Sequence, residues 1–165
     1  MRGTVIVSLD CEGLWGLADS APKWKKHLNQ ESLGWAYRTV LDILERTELR
    51  ATFAYVGLFA SPLDWLQSEL PRLEDSSAHR EWLAFALADL KRGDFSGWTL
   101  PVPIERAASR GHEIASHTYT HLPLGSPHIS PDDIHFELEN TEEWGNRIGR
   151  RVETIVFPRN QVPRY

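Results

Sequence analysis

The run Gly111-His112-Glu113-Ile114-Ala115-Ser116-His117-Thr118-Tyr119-Thr120-His121 joins a short strand to a polar loop. Gly111 marks a turn, and the compact apolar residues after it suit a buried strand over Gly111 to Ser116. Two histidines follow at spacing i, i+4, and they converge on one ion if the backbone between them coils like a helical turn. Far upstream, Thr4-Val5-Ile6-Val7-Ser8-Leu9 is β-branched and apolar and reads as a buried strand from Thr4 to Leu9. It closes on an acidic pair, Asp10 and Glu12. Two neutral imidazoles and one carboxylate form a common catalytic zinc set that leaves a position for water. A second carboxylate is then left over to act as a base.

The rest of the chain alternates in the same way. Leu33, Tyr37, Val40, Leu41 and Leu44 recur at three and four, the signature of a helix with one buried face. Ala51-Thr52-Phe53-Ala54-Tyr55-Val56, stopped by Gly57, reads as a second strand. A last helix is well marked. Ser130 caps it, Pro131 suits its first position, Asp132 and Asp133 favour the positive end of its dipole, and Gly149 fits its end. Ile134, Leu138, Thr141 and Ile148 are expected to face inward. Thr154-Ile155-Val156-Phe157, stopped by Pro158, reads as a fourth strand. Strands alternating with helices give an α/β fold with parallel βαβ units. The stretch 58–103 is longer than one crossover needs. It reads as an insertion over one face, with a helix near Ser77 to Lys91 built on Trp82, Phe85, Ala86 and Leu90. Its tryptophans, Trp65, Trp82 and Trp98, read as packing rather than binding.

Bulk properties narrow the function classes. At 165 residues the chain fits one domain with a real core. The net charge of -5 gives no reason to expect nucleic acid or an anionic membrane as partner. A single cysteine, Cys11, rules out an internal disulfide framework and fits a reducing compartment. The N-terminal apolar run is too short for a signal sequence, and no run approaches the roughly 18 residues of a membrane span. The expected location is cytoplasmic.

In a parallel sheet, loops after the strand C-termini gather at one face. Asp10 and Glu12 follow the first strand, His117 and His121 the third, and Arg159 and Asn160 the fourth. Each residue alone has a plain structural role, as a cap, a loop carboxylate or a surface cation. Their joint placement at three strand ends points to a site.

These residues carry a resemblance to the polysaccharide deacetylases, the NodB-homology or carbohydrate esterase family 4 group. Gly111 to His121 matches that family's second motif, H-[ST]-x-x-H, with the preceding Gly-His-Glu-Ile. Ser8-Leu9-Asp10-Cys11-Glu12-Gly13 resembles the first motif in an Asp-x-Glu form. Ala51-Thr52-Phe53 resembles the strand between them, and Phe157-Pro158-Arg159-Asn160-Gln161 stands where the arginine motif is expected. The resemblance implies a distorted (β/α)7 barrel, here its N-terminal part of about four βα units. It implies a hydrolase that removes N-acetyl groups from a carbohydrate with a divalent metal, zinc being the expected one. By position, Glu12, His117 and His121 are metal ligands, Asp10 is the catalytic base, and Arg159 orients that base.

Three departures from the family pattern shape the expectations. Cys11 stands where many members have aspartate, so ligand duty falls on Glu12 ahead of the Cys11 thiolate. Pro-Arg-Asn-Gln replaces arginine followed by Pro-Tyr, which leaves Asn160 as a candidate substrate donor. The histidine that serves the family as general acid would lie beyond Tyr165. A C-terminally truncated domain that binds metal but turns over slowly is therefore expected, and a second copy of the chain is one partner that could cover its open sheet edge. The alternatives are hydrolysis of another non-peptide C–N bond, as in a small amide or cyclic ureide, and a non-catalytic metal- or glycan-binding remnant.

Overall fold

A computed structural model of the chain describes residues 5–101 and 103–163. Three strands form a parallel sheet in the order β1-β2-β3: β1 (Ser8–Cys11), β2 (Thr52–Tyr55) and β3 (Glu113–Ser116). The register pairs Asp10 with Ala54 and Ala54 with Ala115. The helices are α1 (Ala21–Trp24), α2 (Gln30–Arg46), α3 (Leu63–Asp75), α4 (Ser77–Trp82), α5 (Ala84–Lys91), α6 (Pro103–Ser109) and α7 (Pro131–Arg147). A 3-10 segment, Trp15–Ser20, follows β1. Among the described residues, no helix is long and apolar enough to cross a membrane.

The expected first strand is displaced. It starts at Ser8, Val5 and Ile6 are exposed, and Thr4 lies outside the described residues. Val7 O still accepts from Thr52 N–H at 2.9 Å, so the ladder begins where the chain meets β2. The expected fourth strand is reduced to a single parallel bridge, Ser116 to Ile155. Ser116 N–H donates to Thr154 O and Val156 N–H to Ser116 O, which keeps this segment alongside β3.

The second and last helices form where the apolar spacing places them. In α2, Leu33, Leu41 and Leu44 are buried, and Asn29 caps the first turn through Glu31 N–H and Ser32 N–H. In α7, Ser130 accepts from Asp133 N–H while Asp133 Oδ2 accepts from Ser130 N–H, a reciprocal cap. Its inward face differs from the expected one. Leu138 is exposed, and the buried stripe is Ile134, Glu137, Asn140, Thr141 and Trp144. The stripe thus includes a carboxylate, Glu137, in step with Ile134 and Trp144.

The expected single helix from Ser77 to Lys91 is two, α4 and α5, broken at Leu83, and a further helix, α3, precedes it. Phe85 is exposed, while Leu83, Ala86, Leu87 and Leu90 are buried. Within the 58–103 stretch, Trp98 is fully buried and meets Trp15 edge-on at 5.4 Å between ring centroids. Trp15 Nε1–H donates to Trp98 O at 2.7 Å, and Leu14 N–H to Gly97 O at 2.9 Å. An aromatic pair of this kind contributes about 0.5–1.5 kcal/mol beyond its burial. The stretch therefore braces the loop that follows Glu12.

Candidate metal centre

The polar residues at the C-terminal ends of β1 and β3 meet. Glu12 Oε2 lies 2.8 Å from His121 Nε2 and 3.3 Å from His117 Nε2, and the two Nε2 atoms are 3.1 Å apart. Both histidines are buried and Glu12 is half-buried. His117 Nδ1 lies 2.8 Å from Val156 O, a carbonyl that can only accept. The neutral ring therefore holds its proton on Nδ1 and turns a bare Nε2 to the cluster. Burial alone would push the Glu12 carboxyl up, but the two imidazoles outweigh it and hold it down at about 2. For His117, burial acts downward, and the Glu12 carboxylate with the Val156 carbonyl raises it above the usual histidine value.

These three side chains are a set that can hold a metal ion. A tetrahedral ion with N and O bonds near 2.0–2.1 Å sets its ligand atoms about 3.3 Å apart. The three separations, 2.8 to 3.3 Å, approach that edge length. Cys11 is not part of the group. Its thiol is buried, and burial pushes its pKa up to about 12, which disfavours the thiolate a metal needs.

Glycine supplies room for the carboxylate. A Cβ at Gly16 would lie 2.0 Å from Glu12 Oε1, so the 3-10 segment after β1 leaves a cradle that only Gly16 keeps open.

The backbone between the histidines is not the helical turn their spacing implied. It is a bent loop, with Thr118 at φ 63° and His121 at φ 62°. Its outer carbonyls are tied to the end of β2: Gly57 N–H donates to Thr118 O and Leu58 N–H to Tyr119 O, each at 3.0 Å. Its inner N–H groups point at Glu137. Glu137 Oε2 accepts from Tyr119 N–H and Thr120 N–H, both at 2.9 Å, and Oε1 accepts from the Thr120 hydroxyl at 2.6 Å. Left-handed backbone at a non-glycine residue costs roughly 1–2 kcal/mol. A hydrogen bond to a charged group contributes about 1.5–3 kcal/mol, so three of them outweigh two strained residues. Burial would raise the Glu137 carboxyl, but the His79 imidazole and Thr120 outweigh it and hold it below its ordinary value.

Asp10 stands at the open side of the cluster. Its carboxylate is exposed, with Oδ2 3.9 Å from His117 Nε2. Arg159 is not on Asp10, the partner the arginine motif implies. It forms a two-oxygen pair with Asp19 at 2.9 and 3.0 Å, and its guanidinium lies 4.5 Å over the Trp82 ring. The reason is local. Arg159 and Asn160 both take φ 54° in the turn after Phe157, which carries the arginine toward the 3-10 segment. Trp82 in turn stacks on His121 with centroids 6.4 Å apart, so Arg159 borders the site from the far side of the pair. Asn160 is exposed beside it.

Two recesses flank the cluster. One, of about 310 Å³, has apolar walls that include Leu9, Leu17, Leu33 and Phe53 and reaches Asp10 and Glu12. The other, of about 270 Å³, presents Asp19, Glu81, Trp82, Ser126 and His128.

Sequence reasoning missed Glu137 and His79. The available signal was a glutamate three residues after Ile134, in step with the buried face of α7. His112, five residues before His117, is structural: its Nδ1 accepts from Ala51 N–H at 3.3 Å and its ring packs on Phe53.

No curated protein and no solved structure matches the chain. The family model for polysaccharide deacetylase matches residues 34–164, more than three quarters of the sequence. That span contains His117, His121 and Arg159 and begins after Asp10 and Glu12, whose place in the site rests on the distances above. By this match the chain belongs to the polysaccharide deacetylase family.

Proposed function

We propose that the chain hydrolyses the acetyl-amide bond of an N-acetylated carbohydrate, using zinc held by Glu12, His117 and His121. The observation that carries the reading is the convergence of those three ligand atoms within 3.3 Å of one another, at the ends of two parallel strands. A divalent cation there supplies Lewis acidity toward a carbonyl oxygen and acidifies water. Asp10 accepts the proton of the attacking water: its carboxylate is solvent-accessible and 3.9 Å from His117. Arg159, fixed by Asp19 and Trp82, supplies a positive charge at the His121 side for a substrate oxygen. Asn160 offers an amide donor next to it. The recess with Asp19, Glu81, Ser126 and His128 has the hydrogen-bonding groups that sugar hydroxyls need. The three parallel strands in sequence order, with a fourth segment bridged to β3, support reading the domain as part of a distorted (β/α)7 barrel.

The test is zinc analysis of the purified chain and of His117→Ala, with acetate release measured on N-acetylglucosamine oligomers. The expected result is about one zinc per chain, lost in the variant, with acetate as product. A wild-type chain that carries no metal under zinc-replete conditions overturns the metal site. Ammonia from small amides, with no acetate, overturns the carbohydrate substrate.

A further inference from the structure

Glu137 lies fully buried on α7, outside the roles assigned to Asp10, Glu12, His117, His121, Arg159 and Asn160. Its carboxylate accepts four hydrogen bonds, which fills the capacity of two oxygens. Three come from Tyr119 and Thr120, the two residues midway between the ligand histidines. The fourth comes from His79 Nε2 at 2.8 Å, and His79 is itself fully buried on α4. His79 Nδ1 lies 2.7 Å from Ser76 Oγ, and Ser76 Oγ donates to Asp133 Oδ1 at 2.9 Å. A chain of polar contacts, buried from His79 inward, thus runs from the cap of α7, through the start of α4, to the loop between His117 and His121.

We infer that Glu137 and His79 are positioning residues for the metal ligands, with Glu137 setting the loop between His117 and His121 and His79 fixing the Glu137 carboxylate. The inference rests on the metal-site reading. Tyr119 and Thr120 are buried, so their N–H groups find no water, and no other acceptor among the described residues reaches them. With Glu137 in place, the loop turns at Thr118 and His121 and brings both Nε2 atoms to one point. Without it, the buried N–H groups are unpaired, and the left-handed turn is left to the hydrogen bonds that Gly57 and Leu58 make to its outer carbonyls. His79 holds the carboxylate on the side that faces Thr120. The stretch 58–103, which supplies none of the three proposed ligands, therefore contributes His79 to the geometry of the site, beside Trp82 stacked on His121.

Zinc affinity of the full chain, measured by competition with a chromophoric chelator, tests this in Glu137→Gln and His79→Gln. Both are expected to weaken zinc binding by about 10–100-fold, the usual effect of losing an outer partner of a ligand. The cobalt(II)-loaded forms should show altered visible absorption, a signature of changed ligand geometry that simple destabilisation would not give. Leu44→Ala, on the buried face of α2, serves as the control: it should lower stability and leave zinc affinity of the folded protein within threefold of wild type. Folded Glu137→Gln and His79→Gln chains that bind zinc within threefold of wild type, with unchanged cobalt spectra, overturn the inference while the metal site stands. If Glu137→Gln fails to fold, His79→Gln and Thr120→Val, each removing one partner of Glu137, decide it by the same threshold. A wild-type chain that binds no zinc overturns both the metal site and the inference.

Discussion

Gly16 is the residue where the least change has the most specific consequence. A methyl group there would lie 2.0 Å from Glu12 Oε1, and the atom in its way is the far end of a flexible side chain. The backbone need not move; the carboxylate must. Gly16→Ala is therefore expected to weaken zinc binding by about 10–100-fold, comparable to losing an outer partner of a ligand, while the thermal midpoint shifts by no more than a few degrees. Chelator competition and a melting curve on the same preparation check both halves. Unaltered zinc affinity would mean that Glu12 finds another rotamer that still reaches the histidines. The proposed ligands are legible in the sequence, because Glu12, His117 and His121 stand at strand ends in a recognisable pattern, with Asp10 beside Glu12 as the proposed base. Their supports are not. Gly16 matters for what its missing side chain leaves free, and Arg159 pairs with Asp19 in place of Asp10 because of two consecutive left-handed residues. Neither effect has a mark in the spelling of the chain.

Among the secondary-structure elements, those with strong local signals form where they should. The reciprocal cap of Ser130 and Asp133, Pro131 in the first turn and Gly149 at φ 68° account for the ends of α7. Where the local signal is weak, tertiary context decides. The segment around Ile155 is apolar and β-branched, yet it pairs by one bridge. The apolar run before Ser8 leaves Val5 and Ile6 exposed, because strand pairing is defined by what lies opposite and not by composition alone. The cap of α7 has a second duty, since Asp133 also accepts from Ser76 at the start of α4. Ser130→Ala removes the hydroxyl that accepts from Asp133 N–H and donates to Asp133 Oδ2. It should cost about 1 kcal/mol, which for a chain of this size lowers the midpoint by roughly 2–4 °C. Differential scanning calorimetry reads it directly, and an unchanged midpoint would mean that water replaces the cap without loss.

Across the whole molecule, a buried carboxylate ties folding to pH. Glu137 joins α7 to the loop between His117 and His121 and, through His79, to α4, so its set of hydrogen bonds is complete only when three separate parts of the chain are assembled. The charged and titratable groups around it are His79 and, behind that, Asp133, 3.7 Å from His79 Nδ1. Folding favours the ionised form of Glu137, since its pKa is lower in the folded protein than in an unfolded chain. A depressed folded pKa gives stability that is fully present above the unfolded value, about 4.3 for glutamate, and that is lost as pH falls through the folded value. With a chelator present, so that metal release plays no part, the urea midpoint of the wild-type chain should hold steady from about pH 6 toward the unfolded value and then fall steeply with acid. Asp133 is held below its ordinary value as well, by Ser130, Ser76 and His79 acting against burial, and it adds to the same acid limb. Glu137→Gln cannot ionise, so its midpoint should start lower at pH 6 and fall less between pH 5 and the acid end. A variant whose midpoint tracks the wild-type slope over that range would show that Glu137 does not couple assembly of α4, α7 and the loop to proton uptake.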